Sequence, residues 1–169
     1  MTALFEVTAA DVAYTNDEWY TPRWIFDAAG LTFDLDVCAP VAPEFRTCPA
    51  RRYLTVLDDG LTAPWDGLVW MNSPYSGPAP WVDRFAAHGN GLALLPTLRS
   101  LWMGTLLRSA DATTLLLIRD FTGADSRLKQ IPYMCLLAAC GPVAVSALAR
   151  IAAADRSVQG AYHVRPGVA

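Results

Sequence analysis

The sequence predicts a single α/β domain built on a mostly parallel central sheet. Three observations favour this class. The 169 residues suit one domain and suffice to bury a substantial core. Hydrophobic residues make up 53% of the chain and charged residues 17%, which is typical of a dense interior and not of a disordered chain. Short apolar runs alternate with helix-like stretches, a pattern typical of βαβ units.

The first predicted elements are a helix and two strands. The helix is expected over residues 22–29, because Pro22 suits the first helical position and the glycine after residue 29 suits the end of a helix. A strand is predicted over residues 32–37, where polar and apolar residues alternate with a period of two. After an irregular, proline-rich stretch, a short strand is predicted over residues 53–57, closed by a turn.

The rest of the chain alternates buried strands with helices. Strands are predicted over residues 67–71, 91–95, 112–118 and 133–139, and helices over residues 80–88, 100–109 and 143–154. No internal repeat or linker interrupts this pattern. We expect residues 1–17 to form an N-terminal arm, residues 18–156 to form the domain and residues 157–169 to form a loose C-terminal tail.

The charge balance is mildly acidic. The net charge is −3 and the pI is about 5.2. A protein that binds nucleic acid through extended, sequence-independent contacts usually has a basic surface, so this charge argues against that class. It leaves room for a local basic patch.

The four cysteines do not predict a metal site. They lack a Cys-x-x-Cys spacing, and both histidines are distant from them in the sequence. Cys135 and Cys140 lie in an apolar run, as small core residues do. Cys38 and Cys48 flank a loop, and we expect them to stay reduced rather than form a disulfide.

One uncharged stretch, residues 131–149, approaches the length of a membrane span. Gly141 and Pro142 interrupt it, which favours a strand, a turn and a helix. The first residues lack the basic start and the long apolar run of a signal peptide. We therefore expect a cytoplasmic protein that does not enter a membrane.

The best candidate for chemistry is the sequence Asn72-Ser73-Pro74-Tyr75, which follows the strand predicted over residues 67–71. Ligands of open α/β sheets bind at this carboxyl edge. An amine on an aromatic ring is a poor nucleophile, because its lone pair is delocalised. The Asn72 side-chain oxygen and the Ser73 main-chain carbonyl could accept its hydrogens and favour a pyramidal nitrogen, while Tyr75 stacks on an extruded base. The alternative is an Asn-x-Pro turn that merely closes the strand.

Other candidates precede this motif. Tyr20-Thr21-Pro22 opens the first helix, whose free amides suit a carboxylate, although a plain helix start explains the same residues. Two pairs of acids could accept hydrogen bonds from a cofactor; these are Asp34 and Asp36 on a predicted strand, and Asp58 and Asp59 in a turn. Of the strand pair Asp36 is favoured, because it lies nearer the strand end. The alternatives are strand acids that face solvent or pair with arginines, and an ordinary Asp-Asp-Gly turn.

The order of these motifs resembles that of the phage-type DNA N6-adenine methyltransferases, the Dam-like family of phages and prophages. The matching text is EWYTP (18–22), FDLDVCA (33–39), DDGL with a following tryptophan (58–65), VWMNSPYS (69–76) followed by Trp81, and LALLP (92–96). The resemblance spans residues 18–140. Its specific parts are EWYTP and the Asn-Ser-Pro-Tyr element.

This resemblance implies a Rossmann-like class I methyltransferase domain. The implied activity is S-adenosylmethionine-dependent methylation of the exocyclic amine of adenine in DNA, by direct transfer to a flipped base and without a metal, in the host cytoplasm if a phage encodes the protein. The implied catalytic residues are Asn72, Ser73, Pro74 and Tyr75. The implied cofactor-binding residues are Tyr20, Thr21, Pro22, Asp36, Ala39, Asp58 and Asp59, and the implied substrate-binding residues are Tyr75, Trp81 and Arg99.

The chain departs from the family pattern at two places: Ser73 stands where the family usually has a second proline, and the stretch after LALLP keeps Arg99 but lacks an aspartate. The chain also lacks the glycine-rich loop that many methyltransferases have after the first strand, and a proline-rich run over residues 39–43 stands in its place. Two other functions stay open. One is a methyltransferase for RNA adenine or a protein amide, and the other is a non-catalytic nucleic-acid-binding module on the same fold, which the acidic pI and Ser73 favour.

Overall fold

The computed structural model describes residues 17–123, 128–129, 134–155 and 162–167. The predicted N-terminal arm therefore lies, apart from residue 17, outside the described residues, as do residues 157–161 and 168–169 of the predicted tail. The helices are α1 (Arg23–Ala29), α2 (Ala79–His88), α3 (Leu101–Ser109) and α4 (Pro142–Ala154), with a 3-10 turn at Pro43–Phe45. The strands are β1 (Phe33–Asp36), β2 (Ala50–Tyr53), β3 (Val69–Met71), β4 (Gly91–Pro96), β5 (Ala112–Leu116), β6 (Phe121–Thr122), β7 (Leu128–Lys129), β8 (Cys135–Cys140) and β9 (His163–Val164).

The predicted helices are all present, within one or two residues at each end, and α1 ends at Gly30 in the left-handed conformation that glycine favours. The predicted strand over residues 53–57 is wrong, because β2 occupies Ala50–Tyr53. Its exposed arginines made it resemble a loop. They pair instead with acids across the edge of the sheet, Arg51 with Asp34 at 3.2 Å and Arg52 with Asp66 at 2.7 Å.

The central sheet is mixed. Among the described residues its strand order is β2-β1-β3-β4-β8-β5-β9. The pairs β1–β2, β1–β3 and β3–β4 are parallel, whereas β8 runs antiparallel to β4 and β5, and β9 runs antiparallel to β5. The prediction of a mostly parallel sheet is therefore correct for only one half of the sheet. A strand such as Cys135–Cys140 is buried on both faces of the sheet. Its apolar composition is the same whether it runs parallel or antiparallel to its neighbours, so the sequence does not reveal its direction.

Two hydrophobic layers cover the sheet. Alternating strand residues enter opposite layers: Trp70 joins the layer of α1 and α4, whereas Val69 and Met71 join the layer of α2 and α3. Helices on both faces of the sheet define an α/β fold. Within the expected loose tail, β9 is paired with β5. None of the helices in the described part of the chain has the length and apolarity to span a membrane.

The strand order reverses at β1, because β2 and β3 lie on opposite sides of it. Where the strand order reverses, a crevice forms at the carboxyl ends of two adjacent strands, here β1 and β3. Ligands of open α/β sheets bind in such a crevice. In this fold the crevice lies beyond Asp36 of β1 and Met71 of β3, directly next to the Asn72-Ser73-Pro74-Tyr75 sequence.

Candidate active site

A cavity of about 470 Å³ opens at this crevice. Its size is within the range of small-molecule and cofactor sites. The predicted site residues that line it are Tyr20, Thr21, Asp36, Ala39, Asp59, Asn72, Pro74 and Trp81. Residues far apart in the sequence thus meet at one edge of the sheet.

Asp36 ends β1 and is the most deeply buried acid of the cavity, with 4% of its surface exposed. Burial raises the pKa of Asp36 to about 7, because the charged form loses its hydration. The Cys38 backbone N–H, the positive charge of Arg46 and the Cys48 thiol oppose this shift of the pKa. The N–H of Cys38 donates to Asp36 Oδ1 at 3.2 Å. Asp36 therefore exchanges a proton near neutral pH.

The proline-rich run that replaces a glycine-rich loop forms one wall of the cavity. Arg46 holds this run, since its guanidinium donates to the Pro40 and Val41 carbonyls at 3.0 Å each. The ring of Tyr20 stacks on Phe45 with centroids 5.1 Å apart. The wall is thus fixed by an arginine and an aromatic pair.

Asn72 is the first residue after β3, and its carboxamide is held by the segment before α1. Its Nδ2 donates to the Trp19 carbonyl at 2.6 Å and to Thr21 Oγ1 at 3.1 Å. A carbonyl can only accept a hydrogen bond, so the NH₂ group must face Trp19. Asn72 Oδ1 is buried and has no hydrogen-bond partner among the described residues. A buried acceptor without a partner costs about 1–3 kcal/mol, which a ligand donor would recover.

The residues that follow Asn72 in the motif differ from one another in burial and in their contacts. Ser73 is buried and its hydroxyl has no partner within the described chain, so the side chain contributes no hydrogen bond there. Tyr75 does not line the cavity; its ring faces Trp19 with centroids 6.2 Å apart and planes 11° apart. Burial raises the pKa of the Tyr75 phenol well above its usual value, which keeps it neutral. Ser76 donates from its backbone N–H to Asp17 Oδ1 at 3.2 Å and so ties the motif to the N-terminal segment.

The two acids of the Asp-Asp-Gly turn differ. Asp58 does not line the cavity, and its Oδ2 accepts from the Thr55 N–H and hydroxyl at 2.8 Å each. Asp59 lines the cavity and has a left-handed backbone with φ of 48°. A Cβ on Gly60 would lie 2.4 Å from the Val37 carbonyl oxygen, so only glycine lets the turn close over β1.

Three other predicted residues lie away from the cavity. Pro22 caps the start of α1 without lining the cavity, and Asp34 binds the Leu68 N–H at 2.8 Å. Arg99 lies in the loop between β4 and α3, outside the cavity lining.

Sequence reasoning missed Trp19 and Thr47, which support the site directly. The Trp19 carbonyl accepts a hydrogen bond from Asn72, and the Trp19 ring stacks on Tyr75. Thr47 Oγ1 donates to the Thr21 carbonyl at 2.7 Å and anchors the segment before α1. Trp19 is part of the EWYTP motif, which could have identified it, whereas no local sequence pattern marks Thr47.

Fold and site together define an α/β protein with a cofactor-sized cavity and an asparagine acceptor at the switch point of its sheet. The sequence model of the family described as DNA N-6-adenine-methyltransferase (Dam) matches residues 9–115, which include every residue that lines the cavity. The chain belongs to this family, and the resemblance noted from its motifs is confirmed.

A DNA N-6-adenine-methyltransferase of Haemophilus phage HP1 (strain HP1c1) is similar to this chain, with 42% identity over 74 residues. The match covers 41% of this chain and 40% of that protein, so it spans less than half the length of either. No solved structure matches the chain.

Proposed function

We propose that this protein transfers a methyl group from S-adenosylmethionine to the exocyclic N6 amine of adenine in DNA, on a base extruded from the duplex. Membership of the adenine-methyltransferase family supports this activity. The strand reversal at β1 and the helices on both faces support a Rossmann-like class I methyltransferase domain over residues 18–156. The acidic net charge favours a small DNA footprint over extended backbone contacts.

The single observation that carries the proposal is the Oδ1 of Asn72, a residue that lines the cavity: this atom is buried and has no hydrogen-bond partner in the part of the chain that the structure describes. Its carboxamide nitrogen is already occupied, so the site offers an acceptor and no donor at this point. A substrate that fits must bring a hydrogen-bond donor. The exocyclic amine of adenine is such a group.

The cavity fits S-adenosylmethionine in size and in polar groups. The cofactor's amino group is a cation that can donate hydrogen bonds to the Asp36 carboxylate, and the Tyr20–Phe45 pair forms an apolar wall. Asp59 lies on the rim within reach of hydroxyl groups. When bound, S-adenosylmethionine would supply the methyl group of a sulfonium, whose sulfur would keep the electrons of the broken carbon–sulfur bond and leave as a neutral thioether.

The residues of the chain then act on the amine. Asn72 Oδ1 and the Ser73 carbonyl accept hydrogen bonds from its two N–H groups, which concentrates the nitrogen lone pair and directs it at the methyl carbon. As the nitrogen–carbon bond forms, the nitrogen becomes positively charged, and it then releases one proton to solvent. We assign the face of the Tyr75 ring that does not pack on Trp19 to stacking on the extruded base, whose unstacking costs a few kcal/mol. Only the main chain of Ser73 is used, so serine can replace proline there.

The test is methyl incorporation by the purified protein into separate pools of DNA, RNA and protein, with tritium-labelled cofactor. The proposal expects label in DNA, and N6-methyladenine as the labelled nucleoside after digestion. Label confined to RNA or protein would assign another substrate. Binding of DNA without cofactor binding would assign a non-catalytic module.

A further inference from the structure

We propose that the Trp19 carbonyl and the Thr21 hydroxyl are positioning groups that make asparagine, and not aspartate, the required residue at position 72. This inference rests on the proposed methyl transfer. It concerns how the acceptor of that reaction is oriented.

The two polar groups of the Asn72 carboxamide, its NH₂ and its oxygen, are in different hydrogen-bonding states. Its NH₂ end donates to the two acceptors of the preceding segment, at 2.6 Å and 3.1 Å. Its oxygen end is buried without a partner among the described residues. Because the Trp19 carbonyl cannot donate, a carboxamide turned by 180° would set two oxygens against each other. The oxygen is therefore the end of the carboxamide that is left for the substrate.

The two acceptors are held by the fold and not by Asn72. Tyr20, which lies between them, forms a backbone bridge with Thr122; its N–H donates at 2.8 Å and its carbonyl accepts at 3.3 Å. The Thr21 carbonyl accepts from Thr47 Oγ1 at 2.7 Å. The Trp19 carbonyl and the Thr21 hydroxyl thus keep their places when the side chain at position 72 changes.

An ionised aspartate at position 72 has no N–H to offer. One carboxylate oxygen would lie about where Nδ2 lies now, 2.6 Å from the Trp19 carbonyl oxygen. Two buried acceptors at that distance repel, so the side chain turns away or takes up a proton. The protonated acid donates to Trp19 and leaves its second oxygen facing the substrate, as in asparagine. An Asn72→Asp protein should therefore work only in its protonated form.

The charged groups around this position are the same in both proteins. The acids that line the cavity are Asp17, Glu18, Asp36 and Asp59, and the positive charge of Arg46 acts on Asp36. Their negative charges favour protonation of an added carboxyl group. The ratio of the two turnover rates at each pH therefore reports what the carboxyl group at position 72 adds.

The first experiment measures turnover of wild type and Asn72→Asp with saturating cofactor and DNA between about pH 6 and pH 8.5, a window that brackets a raised carboxyl pKa. We expect the variant to be slower by at least about tenfold at the alkaline end, and the ratio to approach one towards the acid end. A variant that equals wild type at alkaline pH would overturn the inference. So would a loss that is the same at every pH.

The second experiment removes one acceptor without touching Asn72. Thr21→Val keeps the shape of the side chain and loses the hydroxyl, whereas Thr21→Ser keeps it. We expect turnover to fall roughly three- to tenfold in Thr21→Val and to stay near wild type in Thr21→Ser. Thr113→Val, in β5, is the matched control with unchanged turnover. Equal turnover in both Thr21 variants, or a change confined to cofactor KM, would contradict the positioning role.

Failure of this inference and failure of the proposed function are distinguishable. If wild type transfers no methyl group to DNA, the proposed function fails. If wild type is active and the Asn72→Asp and Thr21→Val proteins match it, only the positioning role of Trp19 and Thr21 fails.

Discussion

Replacing Asp36 by asparagine is expected to stabilise the fold at alkaline pH and to change it little near about pH 4. The cause is burial, which raises the pKa of Asp36 from 3.8 to about 7. Below 3.8 the carboxyl group is protonated in the folded and the unfolded chain, so its burial carries no charge penalty. As the pH rises to 7 the unfolded chain loses this proton first, and the folded state loses stability.

The size of the effect follows from the two pKa values. At about 1.4 kcal/mol per unit of difference, the penalty on the free energy of unfolding is on the order of 4 kcal/mol above pH 7. Asparagine keeps an oxygen that can accept from the Cys38 N–H and carries no charge, so it removes this penalty. The same change removes the carboxylate that we assign to the cofactor's amino group.

The assay is urea unfolding of wild type and Asp36→Asn across this pH range, with calorimetric titration of S-adenosylmethionine alongside. We expect the variant to gain stability progressively as the pH rises, and to bind the cofactor more weakly at alkaline pH. Asp66→Asn, at an exposed acid paired with Arg52, is the control and should change stability by less than about 1 kcal/mol. A gain of equal size at both ends of the pH range would refute the reasoning.

Three further changes test the site and the core. Tyr75→Ala should raise the KM for DNA more than the Kd for cofactor, whereas Tyr75→Phe should change neither much, and calorimetry against each ligand checks this. Trp70→Ala should lower the free energy of unfolding by about 3–5 kcal/mol, because the ring packs on Phe26 with centroids 4.8 Å apart; a loss below about 1 kcal/mol in urea unfolding would contradict it. Gly60→Ala should cost about 1–3 kcal/mol by pressing a methyl group on the Val37 carbonyl, and an unchanged Tm would show that the turn can shift.

The sequence predicted the helices well because their signals are local. Pro22 and Gly30 bound α1, and apolar spacing places α2. It misplaced β2, because an edge strand whose arginines face solvent lacks the apolar alternation of a half-buried strand. It did not reveal β9, whose two residues join the sheet through backbone pairing with β5.

The positions of site residues could be predicted from the sequence where those residues directly follow or end a recognisable strand. Asn72 and Asp36 lie at the carboxyl edge because each comes at the end of a buried strand. The roles of Trp19 and Thr21 at Asn72 were not predictable, because their hydrogen bonds join residues more than fifty positions apart. Asp58 resembled a ligand in the sequence, but the fold uses its carboxylate to close a turn.

The most direct test of the account compares DNA from cells that express the wild-type chain with DNA from cells that express Asn72→Ala, by sequencing that reports N6-methyladenine. Both proteins are first shown to bind S-adenosylmethionine equally, because the cofactor's amino group is assigned to Asp36 and not to Asn72. The account predicts new methylated adenines with the wild type and none with the variant. Equal methylation by both proteins would contradict the claim that the Asn72 oxygen holds the reacting amine.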